Sequence, residues 1–206
     1  MAGLRAQGIS SETVLTAMAT VPRPAFVPEA LGEQAWEDHP IPIGLGQTIS
    51  QPFVVAYMTE QLEIRPGDQV LDVGTGCGYQ AAILAACGAQ VTSIEVLPEL
   101  SNTAAQNLRE VGVDVSLVCG DGAMGVPSAA PFDGIVVAAA ADDVPPALLE
   151  QLREPDPEAG ERGGRLVIPL RNPATGGEKL ALVERKLQGF DRTDLLAVRF
   201  VPLVSR

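Results

Sequence analysis

Cations are scarce in this chain of 206 residues. Lys and Arg number 14 against 26 Asp and Glu, for a formal net charge of −12. Binding to a phosphate backbone needs clustered Lys and Arg that displace counterions, so no nucleic-acid partner is expected. Cysteine is equally sparse: Cys77, Cys87 and Cys119 are odd in number and show no C-x-x-C spacing. That argues against a disulfide framework and against a metal site, and leaves reduced, buried thiols as the expectation. The one histidine, His39, sits among prolines and reads as a loop residue with a packing role. No apolar run is long enough to cross a bilayer. The N-terminal M-A-G-L-R-A-Q-G lacks the apolar core of a secretory signal, so a cytoplasmic protein without a membrane partner is expected. With 46% hydrophobic and 19% charged residues the composition is globular. The length suits one domain, residues 1–206, whose central sheet is covered on both faces.

Against these absences, Val70 to Leu84 is dense in signal: V-L-D-V-G-T-G-C-G-Y-Q-A-A-I-L. It reads as a buried strand, then glycine at every second position (Gly74, Gly76, Gly78), then a helix of small residues. Glycine tolerates the backbone angles of a sharp strand-to-helix reversal and lets a ligand approach the main chain. The next strand, Gln90 to Ile94, ends at Glu95, where an acid can accept hydrogen bonds from a ribose diol. The G-x-G-x-G spacing, with Asp72 two residues ahead and Thr75 inside the turn, differs from the dinucleotide pattern G-x-G-x-x-G. It resembles motif I of the class I S-adenosylmethionine-dependent methyltransferases. Cys77, inside the turn, reads as a small packing residue.

The rest of the chain divides into an N-terminal helical and loop region, 1–62, and an alternating core, 63–206. Ser10 or Ser11 can cap a helix carrying Val14, Leu15, Met18 and Ala19, and Val21-Pro22-Arg23-Pro24 ends it. A short helix is predicted from Glu29 to Trp36, an irregular loop from His39 to Gly46 leading into Gln47–Pro52, and a helix from Pro52 to Leu62. Beyond Asp68, strand and helix alternate: Gln69–Val73, Tyr79–Cys87, Gln90–Glu95, Pro98–Val111, Asp114–Cys119, Gly134–Ala138, Pro145–Arg153 and Arg165–Pro169. Such alternation predicts a doubly wound α/β fold, mostly parallel, with ligands at the carboxyl ends of the strands. Asp72, Glu95 and Asp121 fall at or near those ends. Leu180–Lys186 and Asp194–Leu203 are expected to close the sheet, and the acidic run from Glu154 to Arg162 to form a mobile surface loop.

Several further segments resemble one family, protein-L-isoaspartate O-methyltransferase, in the correct order over nearly the whole chain. They include V-P-R-P-A-F-V-P (Val21–Pro28), I-P-I-G-L-G-Q-T-I-S-Q-P (Ile41–Pro52), C-G-D-G-A-M-G (Cys119–Gly125), G-G-R-L-V-I-P-L (Gly163–Leu170) and V-R-F-V-P-L (Val198–Leu203). G-Q-T-I-S-Q-P is the specific part. The resemblance implies methyl transfer from S-adenosylmethionine, leaving S-adenosylhomocysteine, to the α-carboxyl of isoaspartyl residues in damaged proteins and peptides. The ester then collapses to a succinimide without the enzyme. By position, Ser50 matches the active-site serine, with Gln47, Thr48 and Ile49 in the same loop beside the cofactor. Asp72, Gly74, Thr75, Gly76 and Gly78 match the cofactor turn, Glu95 the ribose acid, and Asp121-Gly122 the adenine contact. Two departures stand out: a longer loop after Leu152, and Val204 where many members carry threonine.

A carboxylate nucleophile is ionised at neutral pH and needs no general base. The enzyme's task is then alignment and exclusion of water, and the Ser50 hydroxyl can hold the non-attacking oxygen. Ser50 can equally cap the helix that begins at Pro52. The nearest alternative in chemistry is a carboxyl methyltransferase acting on aspartate of a dedicated biosynthetic peptide. Relatives of that kind carry extra C-terminal sequence, whereas this chain ends at Arg206, soon after V-P-L. An NAD-dependent oxidoreductase is disfavoured by the glycine spacing, and a cofactor-binding module without turnover by the intact G-Q-T-I-S loop. A monomer is expected.

Overall fold

A computed structural model describes residues 2–204. Helix α1 (Ala2–Ala6), which sequence patterning did not indicate, precedes α2 (Glu12–Thr20). Of the two candidate caps, Ser11 serves: its hydroxyl accepts from Val14 N at 3.4 Å. Two 3-10 segments, Arg23–Phe26 and Glu29–Gln34, follow; the second lies within the short helix predicted from Glu29 to Trp36 and ends two residues sooner. The stretch expected to be irregular is instead a small antiparallel hairpin of β1 (Ile41–Gly44) and β2 (Gln47–Ile49). Gly44, Leu45 and Gly46 all take left-handed φ at its tip, which closes two strands too short for a period-two signal. Ile41 pairs with Ile49 and both are buried.

The core then runs α3 (Pro52–Leu62), β3 (Gln69–Val73), α4 (Tyr79–Ala86), β4 (Gln90–Glu95), α5 (Pro98–Glu110), β5 (Ser116–Cys119), β6 (Gly134–Val137), α6 (Pro146–Glu150), β7 (Arg165–Arg171), β8 (Glu178–Arg185) and β9 (Phe190–Val198). The seven strands from β3 to β9 form one sheet in the order β5-β4-β3-β6-β7-β8-β9. The first five of these pair in parallel; β8 and β9 are antiparallel. This is the doubly wound α/β architecture with a closing antiparallel pair. The last strand begins four residues earlier than expected, because its exposed first half, Phe190–Thr193, carries no apolar alternation.

Period-two burial sorts the strand side chains onto two faces. Val70, Val136 and Val167 pack with Val54, Met58 and Leu62 of α3 and with Ala81 and Leu84 of α4. Leu71, Val73, Ile135 and Val137 pack on the other face with Val126, Leu148 and Leu152. The N-terminal helices add a third cluster, in which Leu15 and Met18 meet Tyr79, Ile83 and Leu108. Glu60 of α3 pins this region by accepting from the backbone of Ser10 at 2.8 Å and of Ser11 at 2.6 Å. The acidic run after Leu152 is exposed but not featureless: Asp156 and Glu161 bridge each other, and Asp156 Oδ1 accepts from the backbone of Glu158 and Ala159.

Candidate active site

The order of strands reverses beside β3, and a cleft opens at the carboxyl ends of β3, β4 and β6. It encloses about 900 Å³ of unfilled space, part of it open to solvent. Its floor is the glycine turn. Gly74, Gly76 and Gly78 have φ of 91°, 55° and 93°, angles that L side chains rarely adopt. Gly74 and Gly76 line the cleft, as does Thr75. Gly78 does not. A Cβ there would stand 3.1 Å from Leu108 Cγ, so this glycine seats α4 against α5.

Glu95 closes one side and is 6% exposed. Its Oε2 accepts from Gly76 N at 2.8 Å and its Oε1 from Leu97 N at 3.0 Å. Each carboxylate oxygen has a second acceptor direction left, so two hydroxyls can still be received. Asp72, expected at the site, is instead fully buried behind the turn and is not among the residues that line the cleft. Side chains on a strand alternate faces, and Asp72 falls on the face under α4. Ser93 Oγ donates to Asp72 Oδ2 at 2.7 Å and lies 2.5 Å from Thr75 Oγ1, while Asp72 Oδ1 has no hydrogen-bond partner among the described residues. Burial pushes the Asp72 carboxyl up to about 7, further aided by the Glu95 charge and opposed by the Ser93 bond. Asp121 also lies off the wall; its Oδ1 accepts from Ala123 N at 2.9 Å and holds Gly122 at the cleft.

The Asp72 proton has a measurable consequence. The folded state keeps it where the unfolded chain, with an ordinary carboxyl titrating at about 4, gives it up. Folding stability contributed by Asp72 therefore falls as pH rises from that value to about 7, and is level above. The stability of wild type relative to Asp72→Asn is expected to decline across this window in melting curves taken at stepped pH. A constant or rising difference would contradict it.

The hairpin forms the opposite wall. Gln47, Thr48, Ile49 and Ser50 all line the cleft, and Ile43 Cδ1 stands 3.3 Å from where a Gly76 Cβ would be. Ser50 does not cap α3. The cap position is Gln51, with no side-chain bond, and Asp38 Oδ1 accepts from Phe53 N at 3.2 Å instead. Among the described residues the Ser50 hydroxyl has no partner, whereas its carbonyl accepts from Arg23 Nη2 at 2.7 Å.

A second cleft of about 640 Å³ of unfilled space, likewise partly open, adjoins the first. Thr48, Ser50, Ala138 and Val201 belong to both, so Ser50 stands at their junction. Phe53, Leu196 and Phe200 give the second cleft apolar walls, and Arg199 is the one cation lining it among the described residues. The C-terminal segment closes the site from above: Ala140 N donates to Val201 O and Leu203 N to Ala140 O, both at 2.8 Å. Val201–Leu203, expected inside the last strand (Asp194–Leu203), instead lie beyond its end at Val198 and form part of the wall; their signal was the V-P-L motif.

Cys77 lines the cleft but is buried, with its thiol pushed up to about 11 by burial, which suits packing and not nucleophilic attack. His39 is exposed and bonded to Glu37 Oε2 at 2.8 Å and to the Pro40 carbonyl at 3.0 Å, outside both clefts. No group of three or more His, Cys, Asp or Glu suited to a metal ion occurs among the described residues.

A glycine turn, a ribose-competent acid on the next strand and a cleft at the sheet's switch point define a cofactor-binding α/β transferase of the class I methyltransferase type. A family model described as "Protein-L-isoaspartate(D-aspartate) O-methyltransferase (PCMT)" matches residues 1–206, and the chain belongs to that family. A Methylorubrum extorquens (strain PA1) protein-L-isoaspartate O-methyltransferase is 50% identical over 201 residues, covering 98% of this chain and 84% of the relative. Protein-L-isoaspartate O-methyltransferase 1 of Anaeromyxobacter sp. (strain Fw109-5) is 51% identical over 203 residues, 97% of this chain and 92% of its own. A solved protein-L-isoaspartate O-methyltransferase superposes with TM-score 0.84 at 28% identity over 97% of this chain, which spans 63% of that longer one. A Plasmodium falciparum structure determined with S-adenosyl-L-homocysteine shares the fold, with TM-score 0.81 at 24% identity over 99% of this chain and 96% of its own.

Proposed function

We propose that this protein methylates the free α-carboxylate of L-isoaspartyl residues in damaged proteins and peptides, with S-adenosylmethionine as donor, and that Ser50 orients the carboxylate. The observation that carries the reading is the position of Ser50, its hydroxyl unpartnered among the described residues, where the glycine-turn cleft meets the apolar second cleft. The residues present fit the donor: Glu95 has acceptor capacity for a diol, Gly74 and Gly76 leave the main chain open, and Ile94, Val96 and Leu203 offer apolar surface to a base. When bound, the donor supplies a methyl group activated by its sulfonium charge.

The protein's own contribution is geometric. The acceptor is already a carboxylate, so no group of the protein would have to remove a proton from it for the methyl group to be transferred. Consistent with this, Glu95 is the only acid in either lining among the described residues, and it is held by two backbone N–H groups. Ser50 donates to the oxygen that does not attack, and the hairpin and the Val201–Leu203 segment exclude water. Asp72, Gly78 and Asp121 act from behind the wall, by shaping the turn, seating α4 and presenting Gly122. The apolar second cleft, with Arg199 at its side, receives the peptide. No helix of the described residues is long and apolar enough to cross a membrane; a cytoplasmic monomer without nucleic-acid partners fits the acidic composition.

Glu95→Gln is expected to weaken donor binding about tenfold or more, because the new NH₂ faces a backbone N–H and one acceptor for the diol is lost. Titration calorimetry with S-adenosylhomocysteine checks this, and unchanged affinity would remove the ribose role. The proposed function is tested by following an isoaspartyl peptide through the reaction by chromatography. The expected sequence is an α-carboxyl methyl ester, then a succinimide formed without enzyme, then aspartyl and isoaspartyl peptides. A stable ester on a side-chain carboxyl would contradict it.

A further inference from the structure

We infer that Arg23 is a positioning residue for methyl transfer, acting through Ser50. This rests on the orienting role proposed for Ser50. Arg23 opens the 3-10 segment Arg23–Phe26, far from both clefts in sequence and lining neither, and it is 0% exposed. Its Nε donates to the Ala35 carbonyl at 2.6 Å and its Nη2 to the Ser50 carbonyl at 2.7 Å. The guanidinium lies over the Tyr79 ring, 4.7 Å from its centroid, and Tyr79 is the first residue of α4, directly after the glycine turn. The Phe26 and Tyr79 rings pack edge to face, their centroids 5.4 Å apart.

One side chain thus joins three distant segments: the end of the second 3-10 helix, the peptide that follows Ser50, and the start of the cofactor helix. Burying a cation is costly, and an apolar residue of similar volume often serves stability as well or better. Nη1 is left without a hydrogen-bond partner among the described residues, so the site is not built to satisfy the guanidinium fully. What arginine supplies and an apolar residue cannot is a rigid planar fork. It sets the Ser50–Gln51 peptide plane at a fixed distance from the glycine turn, and with it the direction of the Ser50 hydroxyl. A reacting group displaced by about an ångström can lose on the order of a hundredfold in rate.

The test is a double-mutant cycle on the full-length protein, using Arg23→Met to keep volume and Ser50→Ala to remove the hydroxyl. Single-turnover methyl transfer to an isoaspartyl peptide is read together with S-adenosylhomocysteine affinity and melting temperature. Arg23→Met is expected to slow transfer at least tenfold per folded molecule, with cofactor affinity within threefold, as befits a lost alignment. In the Ser50→Ala background the same change is expected to cost less than threefold, since its target is gone. Should Arg23→Met fail to fold, Arg23→Lys keeps the charge and stem, cannot bridge both carbonyls, and is read in the same cycle. An unchanged rate in the Arg23 variant, or losses that multiply in full, would overturn the proposal. A normal rate in Ser50→Ala would overturn the orienting role and Arg23's action through it; a slow Ser50→Ala beside a normal Arg23 variant would overturn the Arg23 proposal alone.

Discussion

Single-turnover methyl transfer by Ser50→Ala is expected to fall roughly a hundredfold, with cofactor affinity and melting temperature close to wild type. The expectation rests on a hydroxyl with no partner among the described residues at the junction of two clefts, and on its absence from the cap of α3. A capping serine replaced by alanine costs about 1 kcal/mol of stability and leaves the rate per folded molecule alone. Here Asp38 meets the first turn of α3, so no such loss is expected. A lowered melting point with a normal rate would show that the hydroxyl supports the fold and not the reaction.

The second large effect is at Gly76. Valine there is expected to abolish measurable binding of S-adenosylhomocysteine by calorimetry, a loss of a hundredfold or more. The φ of 55° is a strained conformation for a β-branched residue, costing on the order of 1–3 kcal/mol. A Cβ would also press on Ile43 Cδ1 at 3.3 Å, with two methyl groups beyond it. Moving the turn to relieve this takes Gly76 N away from Glu95 Oε2 and loosens the acid meant for the ribose. Retained affinity would mean that the donor does not lie along this turn.

Much of this site was legible in the chain. Glycines in alternate positions after a buried strand, with an acid closing the next strand, mark a candidate ligand turn, and Gly74, Gly76 and Glu95 line the cleft. Asp72, Gly78 and Asp121 were less legible, since spacing tells which residues share a turn but not which side of it each one faces. Asp72 points under α4, Gly78 toward α5, and Asp121 caps the segment that carries Gly122. The hairpin Ile41–Ile49 was hidden because its strands are only four and three residues long. Arg23 lies in one of the segments that carry the resemblance, but nothing in the sequence singled out its side chain; tertiary packing against Tyr79 and two carbonyls is what makes it a buried strut.

In the function proposed here, the paired clefts accept a carboxylate displaced from its usual place by one extra backbone methylene. Both an isoaspartyl and an aspartyl peptide present a carboxylate, so charge alone cannot separate them; main-chain placement relative to Ser50 must. The most direct measurement is competition between matched peptides that differ only in this linkage, for labelled methyl groups from S-adenosylmethionine. Incorporation into the isoaspartyl peptide with essentially none into the aspartyl peptide is the expected result, and equal methylation of the two would contradict the account.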